Sequence, residues 1–323
     1  MNSVSKSQFT ALLMITDLFG LFCCGGMISL MTLYGFLAAA AVQYLFGVVF
    51  SVRGGELSKK VKWLYLVYVV FCGGTLFSAL WQTSSVIYIP YESSHGIWGR
   101  LMTAGLIAAV CLYSSSTGIK TVARAAVIVG ALGAACLLID FASAVFNAEW
   151  HNVQLPEKRS FISEFVRGFA YSSGLGSFAV LLGDVRGERI KAVTGYFAVK
   201  AAAAVIVLLT VLSVAGGIMP LADFPVITAA QLSQPLDAQR IDSLFLVVFV
   251  VFAVFSVSLQ VMTGAYIISE LFPRFTKWRS TAVIALTVAA AVVMPSQPLV
   301  LLRAAAAAAA MAAAPLCAKK TAA

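Results

Sequence analysis

Apolar residues in this chain come in long uninterrupted runs, separated by short polar clusters, with no strand-like alternation or one-sided helical stripe. The runs place helices at 8–31, 33–52, 63–88, 101–117, 122–146, 161–183, 193–219, 241–272, 280–295 and 298–316. The hydrocarbon layer of a bilayer is about 30 Å thick and takes roughly 20 apolar residues per helix. Backbone amides in lipid must be satisfied within the chain itself, so runs this long read as membrane-spanning helices. A tight turn around Thr32 separates the first two runs, and Pro295 and Pro298 separate the last two. The pattern predicts an all-α integral membrane protein of about ten transmembrane helices, with residues 1–323 forming a single transmembrane domain.

Composition sharpens this. The chain is 61% hydrophobic and 11% charged, against about 25% charged in an ordinary soluble domain. The net charge of +9 would suggest a nucleic-acid partner in a soluble protein, but here the placement of the charges is what informs. With a cytoplasmic N-terminus, the inner segments hold Lys6; Arg53, Lys59, Lys60 and Lys62; Lys120 and Arg124; Arg186, Arg189 and Lys191; Arg274, Lys277 and Arg279; Lys319 and Lys320. Only Arg100, Lys158, Arg159 and Arg240 fall in outer loops, while Arg167, Lys200 and Arg303 fall inside spans. That asymmetry obeys the positive-inside rule and puts both termini in the cytoplasm. The N-terminal run carries one lysine and no small-residue cleavage site, so it reads as a retained first span.

Ten spans divide into two five-helix repeats, 1–146 and 161–316. A repeat with an odd number of spans must insert its second copy inverted, the arrangement common among secondary transporters. The helices that open each half are both interrupted: helix 1 by Gly20, Cys23, Gly25 and Gly26, helix 6 by Tyr171, Ser172, Ser173, Gly174, Gly176 and Ser177. Helices 3 and 8, equivalent under the repeat, are among the longest runs, as tilted spans are.

Each interior glycine costs about 1 kcal/mol relative to alanine in a helix, so these clusters favour local unwinding. Unwound backbone in a bilayer must face a cavity or ligand, and the following half-helix offers its positive end to an anion such as a carboxylate. Close helix packing through small residues is the competing reading. Thr75 and Gln260, on the long helices, either line the same cavity or bond between helices. Of the ionisable residues within the spans, Asp17 and Asp140 have no local partner and are candidates for ion or proton coupling. Glu164 pairs with Arg167 at i+3, Glu270 with Arg274 at i+4, and Lys200 snorkels toward the cytoplasmic surface. The six cysteines and two histidines show no metal-ligand spacing, and there is no hydrolase, nucleotide or cofactor fingerprint. The sequence therefore predicts neither an enzyme nor a cofactor.

Three stretches resemble the endospore germination permeases, the B subunits of nutrient germinant receptors. They are Ser5-Lys-Ser-Gln8 before the first helix; Arg167-Gly-Phe-Ala-Tyr-Ser-Ser-Gly174-Leu-Gly176 followed by a basic loop and Gly195-Tyr196; and Phe224-Pro225 with Arg240-Ile-Asp242-Ser-Leu-Phe245-Leu. The chain departs from the family where Ser177-Phe178 replaces a common glutamate and Phe249 a usual tryptophan. The family belongs to the amino acid–polyamine–organocation superfamily. The resemblance implies its 5+5 inverted-repeat, LeuT-like amino-acid-permease fold with discontinuous helices 1 and 6. It further implies a subunit that binds a small nutrient, typically an amino acid, in the spore inner membrane or cell membrane. Its partners would be a larger membrane A subunit and a lipoprotein C subunit. The alternative is a proton- or Na⁺-coupled secondary transporter of amino acids or related amines, and a weaker one is a non-transporting structural partner of another membrane complex.

Overall fold

The computed structural model describes residues 4–54, 56–87, 97–146, 148–153, 160–216, 222–232, 242–275, 278–293 and 299–316, with side chains left aside at 84–87, 97–104, 143–146 and 242–243. Among these the structure is helical: α1 Lys6–Phe22, α2 Leu30–Val52, α3 Lys59–Ile87, α4 Ile97–Thr117, α5 Ile119–Phe146, α6 Phe161–Ala170, α7 Leu175–Gly183, α8 Arg189–Ala215, α9 Pro225–Leu232, α10 Asp242–Leu271, α11 Arg279–Val293 and α12 Val300–Leu316. The helices α6 and α7 are one rod broken by a 54° bend, and α9 is too short to span. Ten rods remain among the described residues, matching the number read from the apolar runs. By length and composition alone, five helices and the bent pair suffice to cross a membrane. Large apolar side chains on the outside of the bundle, such as Tyr113, Ile162 and Leu301, point where lipid would lie.

Local sequence explains the helix starts. Ser5 Oγ accepts from the Gln8 N–H (3.3 Å) while Gln8 Oε1 accepts from the Ser5 N–H (3.0 Å), a capping box that begins α1. A second box, Ser29 with Thr32, begins α2. That second box corrects the expected helix 1. The run 8–31 is apolar throughout, yet the helix ends at Phe22, and residues 23–29 are non-helical before α2 restarts at Leu30. Gly26 there adopts φ +80°, a conformation a side chain strongly disfavours. Helix 1 is thus interrupted as expected, but no second half-helix follows it.

The other departure is α9, a helix in the stretch between the runs 193–219 and 241–272, where no helix was expected. Arg240 and Ile241, in the most specific of the three family-like stretches, lie outside the described residues, as do Pro295 and Pro298.

In the bundle α1 is central, packed on α5, α8 and α10; α2 lies on α6 and α8, α3 on α10 and α11, and α12 on α6, α2 and α3. Approach is close where glycines meet. A Cβ on Gly35 of α2 would stand 2.5 Å from the Glu164 backbone carbon, and one on Gly168 of α6 would stand 2.8 Å from Ala39 Cβ.

One end of the bundle gathers the segments read from charge as inner. Val4 N–H donates to Asp184 O (3.0 Å) and Arg186 N–H to Val4 O (3.1 Å), a short parallel bridge between the chain start and the exit of α7. Arg53 donates to Pro315 O (2.7 Å), Arg189 to Gly54 O, and Lys62 pairs with Glu270 at 2.7 Å. Glu270 therefore bonds across helices to α3, and not to Arg274 as its spacing suggested.

Candidate functional site

The break in the sixth rod is Tyr171–Gly174. Helix α6 stops at Ala170, the chain turns, and α7 begins at Leu175, nearly all of it buried. The end of α1 lies directly against it. A Cβ on Gly20 would come within 2.6 Å of both Tyr171 O and Ser173 Oγ, so only glycine allows this approach. The two glycine clusters singled out from sequence thus meet.

Asp17 organises the junction. One carboxylate oxygen accepts the Gly174 N–H at 2.7 Å, so the acid caps the N-terminus of α7 and sits at the positive end of that half-helix. The other accepts from the Tyr196 hydroxyl and lies 2.9 Å from Lys200 Nζ. The Lys200 ammonium also donates to Gln43 Oε1 and Ser172 Oγ, both at 3.0 Å, and lies over the rings of Tyr196 and Phe197. Lys200 is therefore directed inward onto Asp17, contrary to the snorkelling expected of it, and Asp17 has partners that its neighbours in sequence do not supply. The cause is burial: side-chain exposures are 6% for Asp17 and 11% for Lys200, and a charge that deep needs a counter-charge or hydrogen bonds.

Beyond the break, Gln260 of α10 donates to Ser173 O (3.2 Å) and accepts from Ser177 Oγ (3.2 Å), and Thr263 reaches Ser177 at 2.9 Å. Gln260 Oε1 stands where a Cβ on Gly176 would be, 2.6 Å away. The Ser173 hydroxyl is buried and has no hydrogen-bond partner among the described residues. On the other flank Arg167 closes the end of helix 1, donating to Met27 O (2.8 Å), Gly26 O (2.9 Å) and Gly25 O while pairing with Glu164 at 3.2 Å. The i, i+3 pair is as expected, and it has a second task that sequence spacing did not reveal. Cys23 lies 4.0 Å from Thr83 of α3.

Two candidates stand apart from this network. The Thr75 hydroxyl bonds back to Cys72 O within its own helix at 2.8 Å. Asp140 is buried on α5 but is not among the side chains gathered about Asp17. Gln43, Tyr196 and Thr263 were not singled out for the site. Tyr196 and Lys200 are four apart on one helix face, the one sequence signal that they act together.

A cleft of about 30 Å³ bounded by Asp17, Tyr171, Ser172 and Lys200 has room for a water molecule or two. A larger apolar groove of about 540 Å³ runs between α1, α5 and α8 with Lys6 and Lys191 at its mouth, away from the break. Among the described residues no group of histidine, cysteine, aspartate and glutamate is arranged to hold a metal ion.

No protein-family model and no curated protein sequence matches the chain. Its fold does match solved structures. The nucleobase-cation-symport-1 family transporter Mhp1, in a closed conformation with bromovinylhydantoin bound, superposes with a TM-score of 0.60 at 14% sequence identity, over 96% of this chain and 76% of that one. The inward facing conformation of Mhp1 gives 0.58 at 14% identity, over 96% and 74%. At that identity the fold is what is shared. The chain is an all-α, multi-pass membrane protein with a LeuT-like transporter fold.

Proposed function

We propose that the protein binds a small polar solute where helix 1 ends and helix 6 breaks, and that it serves as the membrane subunit of a nutrient germinant receptor. The observation that carries the binding site is the meeting of two non-helical segments, Cys23–Ser29, buried at both ends and exposed at Gly26, and the buried Tyr171–Gly174. Backbone is left unwound inside a membrane protein only where it is packed against protein or lines a cavity. The receptor role rests on the sequence resemblance, with a nutrient such as an amino acid as ligand and a larger A subunit and a lipoprotein C subunit as partners. In this reading the two halves 1–146 and 161–316 are inverted repeats, and both termini are cytoplasmic. Solute binding at the junction would change how the subunit meets its partners.

A second reading, secondary transport of amino acids or related amines, is favoured by the fold shared with Mhp1. Asp17, already paired with Lys200, would couple through that pair, and Asp140 is the other coupling candidate.

The test is binding by the purified protein in nanodiscs across amino acids, nucleosides and sugars. Gly174→Leu and Gly176→Leu are expected to abolish it while the protein still inserts, and unchanged binding in both variants would remove the break from the site. Copurification of A and C subunits, with loss of nutrient-triggered germination on deletion, separates the receptor from a transporter. The transporter instead predicts solute uptake into proteoliposomes.

A further inference from the structure

Three cationic side chains lie within the spans near the junction, and two are fully engaged. Lys200 is bound to Asp17, Gln43 and Ser172. Arg167 is bound to Glu164 and to three carbonyl oxygens. The third, Arg303, opens the alanine-rich helix α12 and lies over the ring of Tyr171, 4.7 Å from its centroid, at the first residue of the break. Helix α12 packs on α6, α2 and α3, so Arg303 approaches the break from a side that α8 and α10 do not occupy. Its neighbours Leu301 and Leu302 turn outward, while Tyr171 is only 3% exposed. Arg303 itself is half-buried, with its guanidinium over that buried ring.

Among the described residues no carboxylate lies within 4.0 Å of Arg303, and no hydrogen bond engages its guanidinium. Asp17 and Glu164 are already matched by Lys200 and Arg167, so among the described residues the junction carries one positive charge in excess. A cation within the bilayer is costly and is ordinarily matched by a partner or a ligand. A guanidinium lying over an aromatic ring uses its face and leaves its edge donors available, in the planar fork that suits a carboxylate. The half-helix N-terminus that could have served an anionic ligand is taken by Asp17, which leaves Arg303 as the available anion-binding group.

We propose that Arg303 is the specificity-determining residue of the solute site and that the solute carries a carboxylate, held by the guanidinium edge. This rests on the reading that the junction binds a solute.

The experiment uses the full chain in nanodiscs, with thermal-shift and direct-binding measurements. The probes are L-amino acids and small organic acids, each compared with its amide, together with neutral sugars and nucleosides. The expected result is that acids bind at least tenfold more tightly than their amides, that Arg303→Gln abolishes the preference, and that Arg303→Lys keeps part of it. The ligand-free Arg303→Gln protein is expected to melt no lower than the parent, since an uncompensated charge has been removed. Equal affinity for acids and amides in the parent overturns the anchor. So does unchanged acid affinity in Arg303→Gln, and if that variant also melts lower, Arg303 is a structural partner of Tyr171 instead. If a neutral solute binds and ignores Arg303→Gln, the anchor fails while the solute site stands. If nothing binds at millimolar concentration, the site reading fails and takes the anchor with it.

Discussion

Lys200 of α8 places its ammonium 2.9 Å from the Asp17 carboxylate of α1, and the pair ties two helices to the break in a third. Breaking a buried pair by removing one partner costs about 3–5 kcal/mol, because a charge is left unmatched. Lys200→Met alone and Asp17→Asn alone are each expected to destabilise by that order. The double variant should recover more than half of the loss, since neither charge remains. Thermal denaturation in detergent, arranged as a double-mutant cycle, measures the coupling, and additive losses would refute the pairing.

The Lys62–Glu270 pair is the contrast. Its side chains are 20% and 32% exposed at the basic end of the bundle. Lys62→Ala should cost below about 1 kcal/mol and less still at high salt. A salt titration of the melting midpoint checks both points.

Gly35 touches the backbone of Glu164, which has little freedom to retreat. Gly35→Ala is expected to destabilise by about 1–3 kcal/mol through overpacking between α2 and α6. Gly105, with nothing within 4 Å of an added Cβ, is the control. There alanine should be neutral or stabilise α4 by about 0.5–1 kcal/mol. Equal effects at the two positions would contradict the packing described for α2 and α6.

Asp184, just past the end of α7, gives a pH dependence. Burial holds its carboxyl above the usual carboxylate value, and one of its oxygens has no hydrogen-bond partner among the described residues. The folded state therefore binds its proton more tightly than the unfolded chain. Its contribution to stability is full in acid, falls as pH rises from about 4 through the raised folded value, and is then flat. Asp184→Asn should raise the melting midpoint by about 1–2 °C at neutral pH and by nothing near pH 4. A gain that persists in acid would assign the effect to packing.

Much of this arrangement was legible because it is local. The Ser5–Gln8 capping box, the glycines of the sixth rod and the Glu164–Arg167 pair are all short-range patterns, and apolar run length alone located the other rods. What escaped was non-local or short. Asp17 and Lys200 are distant in sequence, so a residue without local partners proved to have three. Glu270 was assigned to Arg274 because the two are neighbours on one helix, whereas Lys62 reaches it from another. The eight residues of α9 fall below any span-length signal. Helix 1 was extended past Phe22 because composition stays apolar there, although the Ser29–Thr32 cap that restarts the chain is visible in the sequence.

The bridge between Val4 and Val185 joins the start of the first rod to the exit of the sixth by two backbone hydrogen bonds. The first rod ends against the point where the sixth breaks. Two arms fastened at one end behave as tweezers: they part at the free tips while the hinge stays shut. The clasp is expected to confine any parting of the two rods to the end remote from the basic cluster. Trimming the first few residues would free the hinge and let the arms separate at either end.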